Sequence, residues 1–400
     1  MKLLEGAIQN YALGSIDSIP RLLGVEPTGD PQAELWLGAH PLKPSRLPQD
    51  DTDLLALVTE HPEMLGEKSR EHFGDVLPFM LKILAAGQPL SLQAHPNRAE
   101  AEAGFAKEND EGIDLQASNR TYKDDWPKPE MALALTDFVT LSGFRPASQT
   151  AALFERLHVP GLDSVIGPLT QRGGSAALAE VFLDALSLSE ERRGLVDQVV
   201  AACLPYRDED SEMGRFARTA LELDEYYPGD RGILAALLLN RVELKPGEAT
   251  YLEPGNLHAH MRGTCVEIMA NSDNVLRGGL TVKHIDVDGL LQVLTFTGEE
   301  KALVTPQMPA PGLVHYPTDA PEFALWKIHV GRGTDSSEPT LLPATEGARI
   351  LFVLDGFLAC ATADETRELV KGRAAFIPAG EVVRVHGDAE AYLASAGVYA

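Results

Sequence analysis

The sequence predicts a mainly β protein with a helical insertion, and three of its features carry that prediction. Short apolar stretches separated by Gly, Pro and Asp turns run to about Thr140 and return after Val242, a pattern typical of strands. Between them, residues 148–240 place apolar side chains at helical spacing. The third feature is a hairpin pattern that occurs twice in the region after Val242.

The helical insertion is expected to hold several helices. Leu195, Val199 and Cys203 follow one another at intervals of four, so they should share one face of a helix. Ser187 followed by Glu190 predicts a capping box at the start of that helix. Further candidate helices cover residues 176–186, 216–223 and 232–239.

The repeated hairpin pattern lies at residues 247–255 and 372–380. Both copies contain a glycine turn, a short strand and a Pro/Gly turn, as in the small hairpins of cupin-like jelly-roll barrels. Two unrelated glycine-turn hairpins could also converge on such a pattern, so a pair of barrels is one of two interpretations. In the same register His258 falls opposite Val383, so a second barrel is predicted to lack this side chain.

Size and composition exclude several classes of protein. A chain of 400 residues with 44% apolar and 23% charged residues predicts a globular protein of two or three domains. Its net charge of -25 argues against nucleic acid and anionic membranes as partners. Three widely spaced cysteines, no signal peptide and no membrane-spanning run predict a cytoplasmic protein.

A candidate metal site begins at Gln93 and His95. Alternate residues of a strand point to the same face, so these two side chains could bind one ion. Glu130 and His258 would add a carboxylate and a second imidazole, and such a nitrogen and oxygen ligand set suits catalytic Zn²⁺. Each motif alone also has an ordinary interpretation: a polar strand edge, a salt-bridged loop, or a packed pair of His258 and His260.

The sequence resembles the type I mannose-6-phosphate isomerases, also called phosphomannose isomerases, over almost its entire length. The resemblance is carried by several blocks in order along the chain, of which the last, from Val266 to Thr281, is the most specific. The blocks are residues 9–11, 33–41, 77–97, 128–131, 143–146 and 266–281.

This resemblance implies one Zn²⁺ per chain, bound by Gln93, His95, Glu130 and His258, and a catalytic role for Arg277. It also implies two cupin-like jelly-roll barrels plus an α-helical domain. We therefore expect a metal-binding catalytic domain, a helical insertion and a C-terminal barrel without metal. Their predicted ranges are 1–147 with 241–310, 148–240 and 311–400. His260 stands where the family often has tyrosine, which suggests a place in the lining of the pocket.

The implied reaction is the interconversion of mannose 6-phosphate and fructose 6-phosphate. An aldose–ketose isomerase moves a proton between C1 and C2, and Zn²⁺ with Arg277 would stabilise the enediolate that forms. A carboxylate with a raised pKa could carry the proton. Glu267 is a candidate, although it could instead orient His258 or Arg277. Asp273 and Lys283 are weaker candidates for the same or a supporting role.

The phosphate of such a substrate requires cationic and hydroxyl groups. Ser91 precedes Gln93 by two residues, and Lys82 and Lys128 flank the metal ligands in sequence, so these three are predicted to bind phosphate. Lys82 interrupts an apolar run, and a buried lysine requires an anionic partner. The partner would be the phosphate or an acidic neighbour.

One departure from the family pattern concerns the rim of the pocket. The family commonly has Asn-His immediately before Lys-Pro-Glu, whereas this chain has Trp126-Pro127, so acceptance of other hexose phosphates becomes conceivable. Two alternative functions are a metal-dependent oxygenase of the cupin type and a non-catalytic sugar-phosphate-binding protein. A hexose phosphate is the expected partner, and the chain is expected to be a monomer or homodimer.

Overall fold

The computed structural model describes residues 1–331 and 338–400. Its strands form two large antiparallel sheets and a small two-stranded one. The first large sheet contains β2 (Ala7–Gln9), β3 (Glu34–Leu37), β6 (Phe79–Ala86), β7 (Leu92–Ala94), β8 (Glu130–Ala134), β9 (Phe138–Phe144), β10 (Leu239–Leu244), β11 (Ala249–Leu252), β12 (His258–Ala270) and β13 (Leu276–Gly279). The second contains β1 (Lys2–Leu4), β14 (Gln307–Ala310), β15 (Leu313–Tyr316), β16 (Ala324–Val330), β17 (Thr340–Leu341), β18 (Arg349–Ala361), β19 (Thr366–Val370), β20 (Ala374–Ile377) and β21 (Arg384–Ser395). The small sheet pairs β4 (Arg46–Leu47) with β5 (Thr52–Asp53).

Helices are concentrated between β9 and β10. Those six are α5 (Ala147–Glu155), α6 (Asp163–Gln171), α7 (Gly174–Leu186), α8 (Gly194–Cys203), α9 (Glu212–Tyr226) and α10 (Gly232–Ala236). The others are α1 (Ser18–Leu23), α2 (Leu54–Glu60), α3 (Glu67–Phe73), α4 (Arg98–Asp110) and α11 (Val287–Val293). Among the described residues, every helix is too short or too polar to traverse a lipid bilayer. The predicted fold class, two cupin-like barrels with a helical region, is confirmed.

Several local predictions can be compared with these helices. The predicted helices at residues 176–186 and 216–223 lie inside α7 and α9, and Leu195, Val199 and Cys203 share the buried face of α8. The predicted capping box of Ser187 and Glu190 is wrong. Residues 190–192 form a 3₁₀ turn, and α8 begins at residue 194 without a side-chain cap. The candidate helix at residues 232–239 ends at residue 236, before β10 begins.

The two large sheets share a pattern of strand pairing at their centres. In the first, β11 pairs with β8, β10 pairs with β9, and both β8 and β9 pair with β12. In the second, β20 and β19 pair with the two halves of β18, which pairs along its length with β21. A turn at residues 362–365 joins β18 to β19, whereas six helices join β9 to β10. The helical region therefore occupies a hairpin connection of the first barrel.

The two barrels are joined through both backbone and core. Strand β1 pairs with β20, and the terminal amine of Met1 contacts the carboxylate of Glu381 at 2.6 Å. The predicted boundary placed β1 in the catalytic domain, whereas its pairing is with the C-terminal sheet. A shared apolar core also contains Leu81 and Ile268 from the first sheet and Ile350 from the second. The expected C-terminal domain includes residues 332–337, which lie outside the described residues.

Equivalent positions in the two barrels carry different chemistry. Leu252 pairs with Glu130 in the first barrel, and at the same place in the second Ile377 pairs with Arg349. Arg349 is fully buried and donates hydrogen bonds to the carbonyls of Pro343 and Glu381. The second barrel thus has a buried guanidinium where the first has a buried carboxylate.

Replacement of Arg349 by methionine should destabilise the second barrel. The change leaves two buried carbonyls without their donor, and we expect the free energy of unfolding to fall by about 3 kcal/mol. Urea denaturation measures the loss. The exposed Arg384→Met variant is the control and should change stability by less than about 0.5 kcal/mol. Equal stability of the two variants would show that Arg349 does not support the barrel.

Candidate metal centre and substrate cleft

Three buried side chains converge inside the first barrel. Nε2 of His95 lies 3.4 Å from Oε1 of Glu130, and Nε2 of His258 lies 3.4 Å from Oε2 of the same carboxylate. The two imidazole centroids are 5.1 Å apart. Each of these three residues is at most 2% exposed. They form a group of side chains able to bind one metal ion.

Strand register brings these three residues together. His258 begins β12 and Glu130 begins β8, and both strands pair within the same sheet. His95 directly follows β7, whose Gln93 is the register partner of His258. On the other side, Gln93 is also the register partner of Arg277 on β13. Four of the predicted site residues from distant parts of the sequence therefore lie on adjacent strands.

Backbone carbonyls fix the orientation of both imidazoles. Nδ1–H of His95 donates to the carbonyl of Asn274 at 2.7 Å, and Nδ1–H of His258 donates to that of Asn256 at 3.1 Å. In the neutral rings, both Nε2 atoms therefore present lone pairs to the Glu130 oxygens. The two Nε2 atoms and Oε2 of Glu130 are buried without a hydrogen-bond partner. Lone pairs that face one another in this way are a good fit to a cation between them.

The charge states of these groups suit metal binding. Burial, with the nearby ammonium group of Lys128, lowers the pKa of His95 to about 4. Burial alone would raise the pKa of the Glu130 carboxyl, but His95 and Lys128 beside it hold that pKa well below its usual range. At neutral pH the site therefore offers a neutral imidazole at His95 and an ionised carboxylate, which are the forms that bind metals.

A buried polar network lies next to the three candidate ligands. The Lys82 ammonium contacts the Glu267 carboxylate closely and lies 3.5 Å from that of Glu34. Glu34 also accepts hydrogen bonds from the Tyr11 hydroxyl at 2.7 Å and the Trp36 indole N–H at 2.6 Å. Lys82 thus has acidic neighbours. The sequence predicted either these or the substrate phosphate as its partner.

The pKa expected for Glu267 is wrong in direction. The sequence suggested a carboxylate with a raised pKa, and burial alone would have that effect. The ammonium group of Lys82 outweighs burial and lowers the pKa of Glu267 to about 2. In turn, burial alone would lower the pKa of Lys82, but Glu267 and Glu34 raise it well above its ordinary value. The two groups are therefore a charged pair at neutral pH.

His260 extends this network to Thr140 on β9. Its Nε2 lies 3.0 Å from Oε1 of Glu267 and its Nδ1 lies 3.0 Å from the Thr140 hydroxyl. Glu130, His260 and Glu267 form a second group with metal-binding side chains. In that group, however, Glu267 is already neutralised by the ammonium of Lys82.

A cleft of about 640 Å³ is lined by Asp273 and Arg277, which lie in sequence on either side of Asn274, the residue whose carbonyl binds His95. His40 also lines the cleft, and Nε2 of His40 lies 3.2 Å from Oδ1 of Asp273. Arg277 is half-buried and forms no ion pair with another described residue. Burial lowers the pKa of Arg277 from its very high ordinary value, and the guanidinium remains a cation. The cleft therefore offers one guanidinium without an ion-pair partner to an anionic group, although Asp124, Asp125 and Asp273 also line it.

The predicted phosphate-binding residues differ in burial and in their partners. Nζ of Lys128 is buried, 3.4 Å from Oε1 of Glu130. Ser91 is half-buried at the start of β7. Lys283 lies on an exposed loop after β13, where partial burial and the charge of Arg277 lower its pKa. Lys82 and Lys128 therefore share their charges with carboxylates, whereas no described residue forms an ion pair with Lys283.

Sequence reasoning missed the residues that support the candidate ligands. Asn274 accepts from His95 through its carbonyl, and its side chain contacts backbone atoms of Lys123, Asp124 and Trp126. Glu34 supports Lys82 across two paired strands. The only sequence signal for Glu34 was the charge of Lys82 in an apolar run. A buried lysine requires an acidic partner, but the sequence does not show which residue that partner is.

Comparison with known proteins places the chain among named relatives. Residues 1–147 match the family model of the phosphomannose isomerase type I catalytic domain. The mannose-6-phosphate isomerase of Escherichia coli (strain K12) is 36% identical over 396 residues, which cover 97% of this chain and 98% of the relative. Mannose 6-phosphate isomerase from Salmonella typhimurium in its apo form is 34% identical and superposes with a TM-score of 0.87. A zinc-bound mannose 6-phosphate isomerase is 33% identical and also gives a TM-score of 0.87, and both structures cover 99% of either chain.

Removal of one candidate ligand should abolish metal binding. We expect His258→Ala, purified and incubated with Zn²⁺, to retain less than about a tenth of one equivalent, because only His95 and Glu130 of the buried group remain. Metal analysis after gel filtration measures the content. The matched control is His260→Ala, two residues away on the same strand, which should retain about one equivalent. Equal zinc content in the two variants would exclude His258 as a ligand.

Proposed function

Because the chain belongs to the type I phosphomannose isomerase family, we propose that it interconverts mannose 6-phosphate and fructose 6-phosphate with one Zn²⁺ per chain. The observation that carries the proposal is the buried arrangement of Glu130 between the Nε2 atoms of His95 and His258, without hydrogen-bond donors for these atoms. Gln93, the register partner of His258, would complete the ligand set. When bound, Zn²⁺ would supply Lewis acidity toward the sugar oxygens at C1 and C2.

Arg277 is proposed to stabilise negative charge on the substrate. Isomerisation removes a proton from carbon next to a carbonyl, and the charge develops on oxygen. The Arg277 guanidinium lies in the cleft, and its strand pairs with that of Gln93. Since its charge is not used by another described residue, it is available to the reacting part of the sugar.

Asp273 is proposed as the group that carries the proton. It lines the cleft and its carboxylate is 34% exposed, whereas that of Glu267 is 2% exposed. The Leu42 N–H donates to Nδ1 of His40 at 3.3 Å, so Nε2–H of His40 is free to donate to Asp273. Burial alone would raise the pKa of Asp273, but His40 and Lys128 lower it, and the ionised carboxylate can accept a proton.

Glu267, predicted from the sequence as a catalytic residue, is proposed to act as a positioning residue. It is held ionised between Lys82 and His260 below the cleft. These contacts support an arrangement in which Glu267 fixes the charge of Lys82 close to the metal ligands. Such fixed groups preorganise the electrostatics of a site without moving protons themselves.

The substrate phosphate is proposed to bind at Lys283 and Ser91. Leu92 of β7 is the register partner of Gly279, so Ser91 lies beside the loop that carries Lys283. The charges of Lys82 and Lys128 are already shared with carboxylates. The Lys283 ammonium is not paired with a carboxylate of a described residue, so it is better able to bind a phosphate than Lys82 or Lys128, the two lysines first predicted.

We infer a cytoplasmic location, which is supported by three buried free cysteines, Cys203, Cys265 and Cys360. The monomer or homodimer expected from the sequence stays a prediction. A buried His and Glu cluster could also serve a cupin-type oxygenase, and a sugar-phosphate-binding protein could keep the same cleft, but family membership favours the isomerase.

The proposed activity is tested by turnover of mannose 6-phosphate to fructose 6-phosphate. We expect activity in the purified protein, a loss of more than about 90% after chelation and dialysis, and recovery on addition of Zn²⁺. A coupled assay for fructose 6-phosphate measures all three. Activity that survives complete removal of metal would contradict the metal mechanism, and a zinc-loaded protein without turnover would contradict the isomerase.

Arg277→Ala should lower kcat by about a hundredfold or more with a smaller change in KM, because a guanidinium that acts on developing charge contributes mainly in the transition state. Steady-state kinetics with zinc-loaded protein measures both constants. Arg262→Ala removes an exposed arginine of β12 and is the matched control. An unchanged kcat in Arg277→Ala would remove this residue from the mechanism.

A further inference from the structure

The rim of the cleft contains an aromatic residue that the mechanism above does not use. Trp126 lines the same 640 Å³ cavity as Arg277 and Asp273. We propose that the exposed part of its half-buried indole is an apolar contact for the carbon skeleton of the sugar, so that Trp126 determines affinity for the sugar part of the substrate. The inference rests on the proposed function and adds a residue that binds substrate without joining the chemistry.

The backbone of Trp126 is held firmly in place. Its N–H donates to Oδ1 of Asp124 at 3.0 Å, and its carbonyl accepts from the side chain of Asn274 at 2.9 Å. Asp124 also accepts from the Ser272 hydroxyl at 2.7 Å. Because Asn274 and Ser272 lie in the segment that carries Asp273, the indole keeps a fixed position relative to the polar residues of the cleft.

The side chain of Trp126 is fixed as well. The guanidinium carbon of Arg98 lies 4.7 Å from the centre of the indole, and the ring of Phe73 stacks on it with centroids 5.8 Å apart. Arg98 also donates to the carbonyl of Asp125 at 3.3 Å. A side chain already held by a cation and an aromatic ring loses little conformational freedom when a ligand binds.

The lining of the cleft combines charged and apolar side chains. The apolar members include Leu42, Val76 and Leu115, which are 63%, 42% and 44% exposed. Exposed aliphatic side chains clustered around one cavity are typical of a ligand-binding surface. A hexose phosphate has the matching character, since it carries hydroxyl and phosphate groups together with C–H groups that can pack on an aromatic ring.

The inference is tested by direct binding of two probes to the zinc-loaded protein, without turnover. Mannitol 1-phosphate has a six-carbon sugar chain but no carbonyl to isomerise, and inorganic phosphate has no carbon. In Trp126→Ala we expect the Kd for mannitol 1-phosphate to rise about tenfold and that for phosphate to change by less than twofold. Trp126→Phe retains an aromatic wall and should stay within about threefold of the wild type for both probes. Isothermal titration calorimetry of the wild type and the two variants measures the six constants.

Controls separate a sugar contact from a general structural effect. Zinc content of both variants should match the wild type, because Trp126 is not among the candidate metal ligands. Phe357→Ala removes another exposed aromatic ring, on β18 of the second barrel, and should leave both Kd values unchanged. Unchanged binding of mannitol 1-phosphate in Trp126→Ala, or equal weakening of both probes, would overturn the inference. A wild type that binds the probe but does not isomerise mannose 6-phosphate would instead contradict the proposed function alone.

Discussion

The central constraint on this protein is the excess of negative charge and lone pairs buried in its first barrel. Glu34, Glu130 and Glu267 supply three carboxylates, whereas Lys82 and Lys128 supply two ammonium groups. The imidazoles of His95 and His258 add lone pairs that point at Glu130. Buried charge of one sign is costly unless it is compensated. A divalent cation at this place therefore compensates the excess negative charge and the lone pairs that the polypeptide buries there.

The second barrel shows that the fold does not require this arrangement. Its central strands pair as those of the first do, and the position equivalent to Glu130 is occupied by Arg349, whose guanidinium bonds to backbone carbonyls. Leu342 donates its N–H to the carbonyl of Val383 where Gln93 and His258 are paired in the first barrel. Aliphatic side chains and a cation offer no metal ligands there, so the metal chemistry belongs to the site and not to the architecture.

The sequence predicted the parts of the structure that depend on local patterns. The helices at residues 176–186 and 216–223 and the repeated hairpin follow from spacing and turn residues. The partners of Lys82 could not be predicted in this way, because Glu34 and Glu267 reach it only across paired strands. The predicted direction of the pKa shift of Glu267 was wrong for the same reason, because the shift depends on Lys82, which is distant in sequence. The pairing of β1 with the C-terminal sheet was equally invisible to local pattern.

Asn274 explains how the rim of the cleft can differ without disturbing the candidate ligands. Its carbonyl orients His95, while its side chain binds the N–H groups of Lys123 and Asp124 and the carbonyls of Asp124 and Trp126. Apart from one further hydrogen bond to the Asp124 carboxylate at 3.1 Å, these rim contacts are to backbone atoms. A contact to a backbone atom does not depend on which side chain the residue carries. The identity of the side chain at residue 126 can therefore change the surface offered to a sugar while the segment that supports His95 stays the same. Asn274 thus connects the segment proposed to recognise the substrate with a candidate metal ligand, while different residues carry out the two roles.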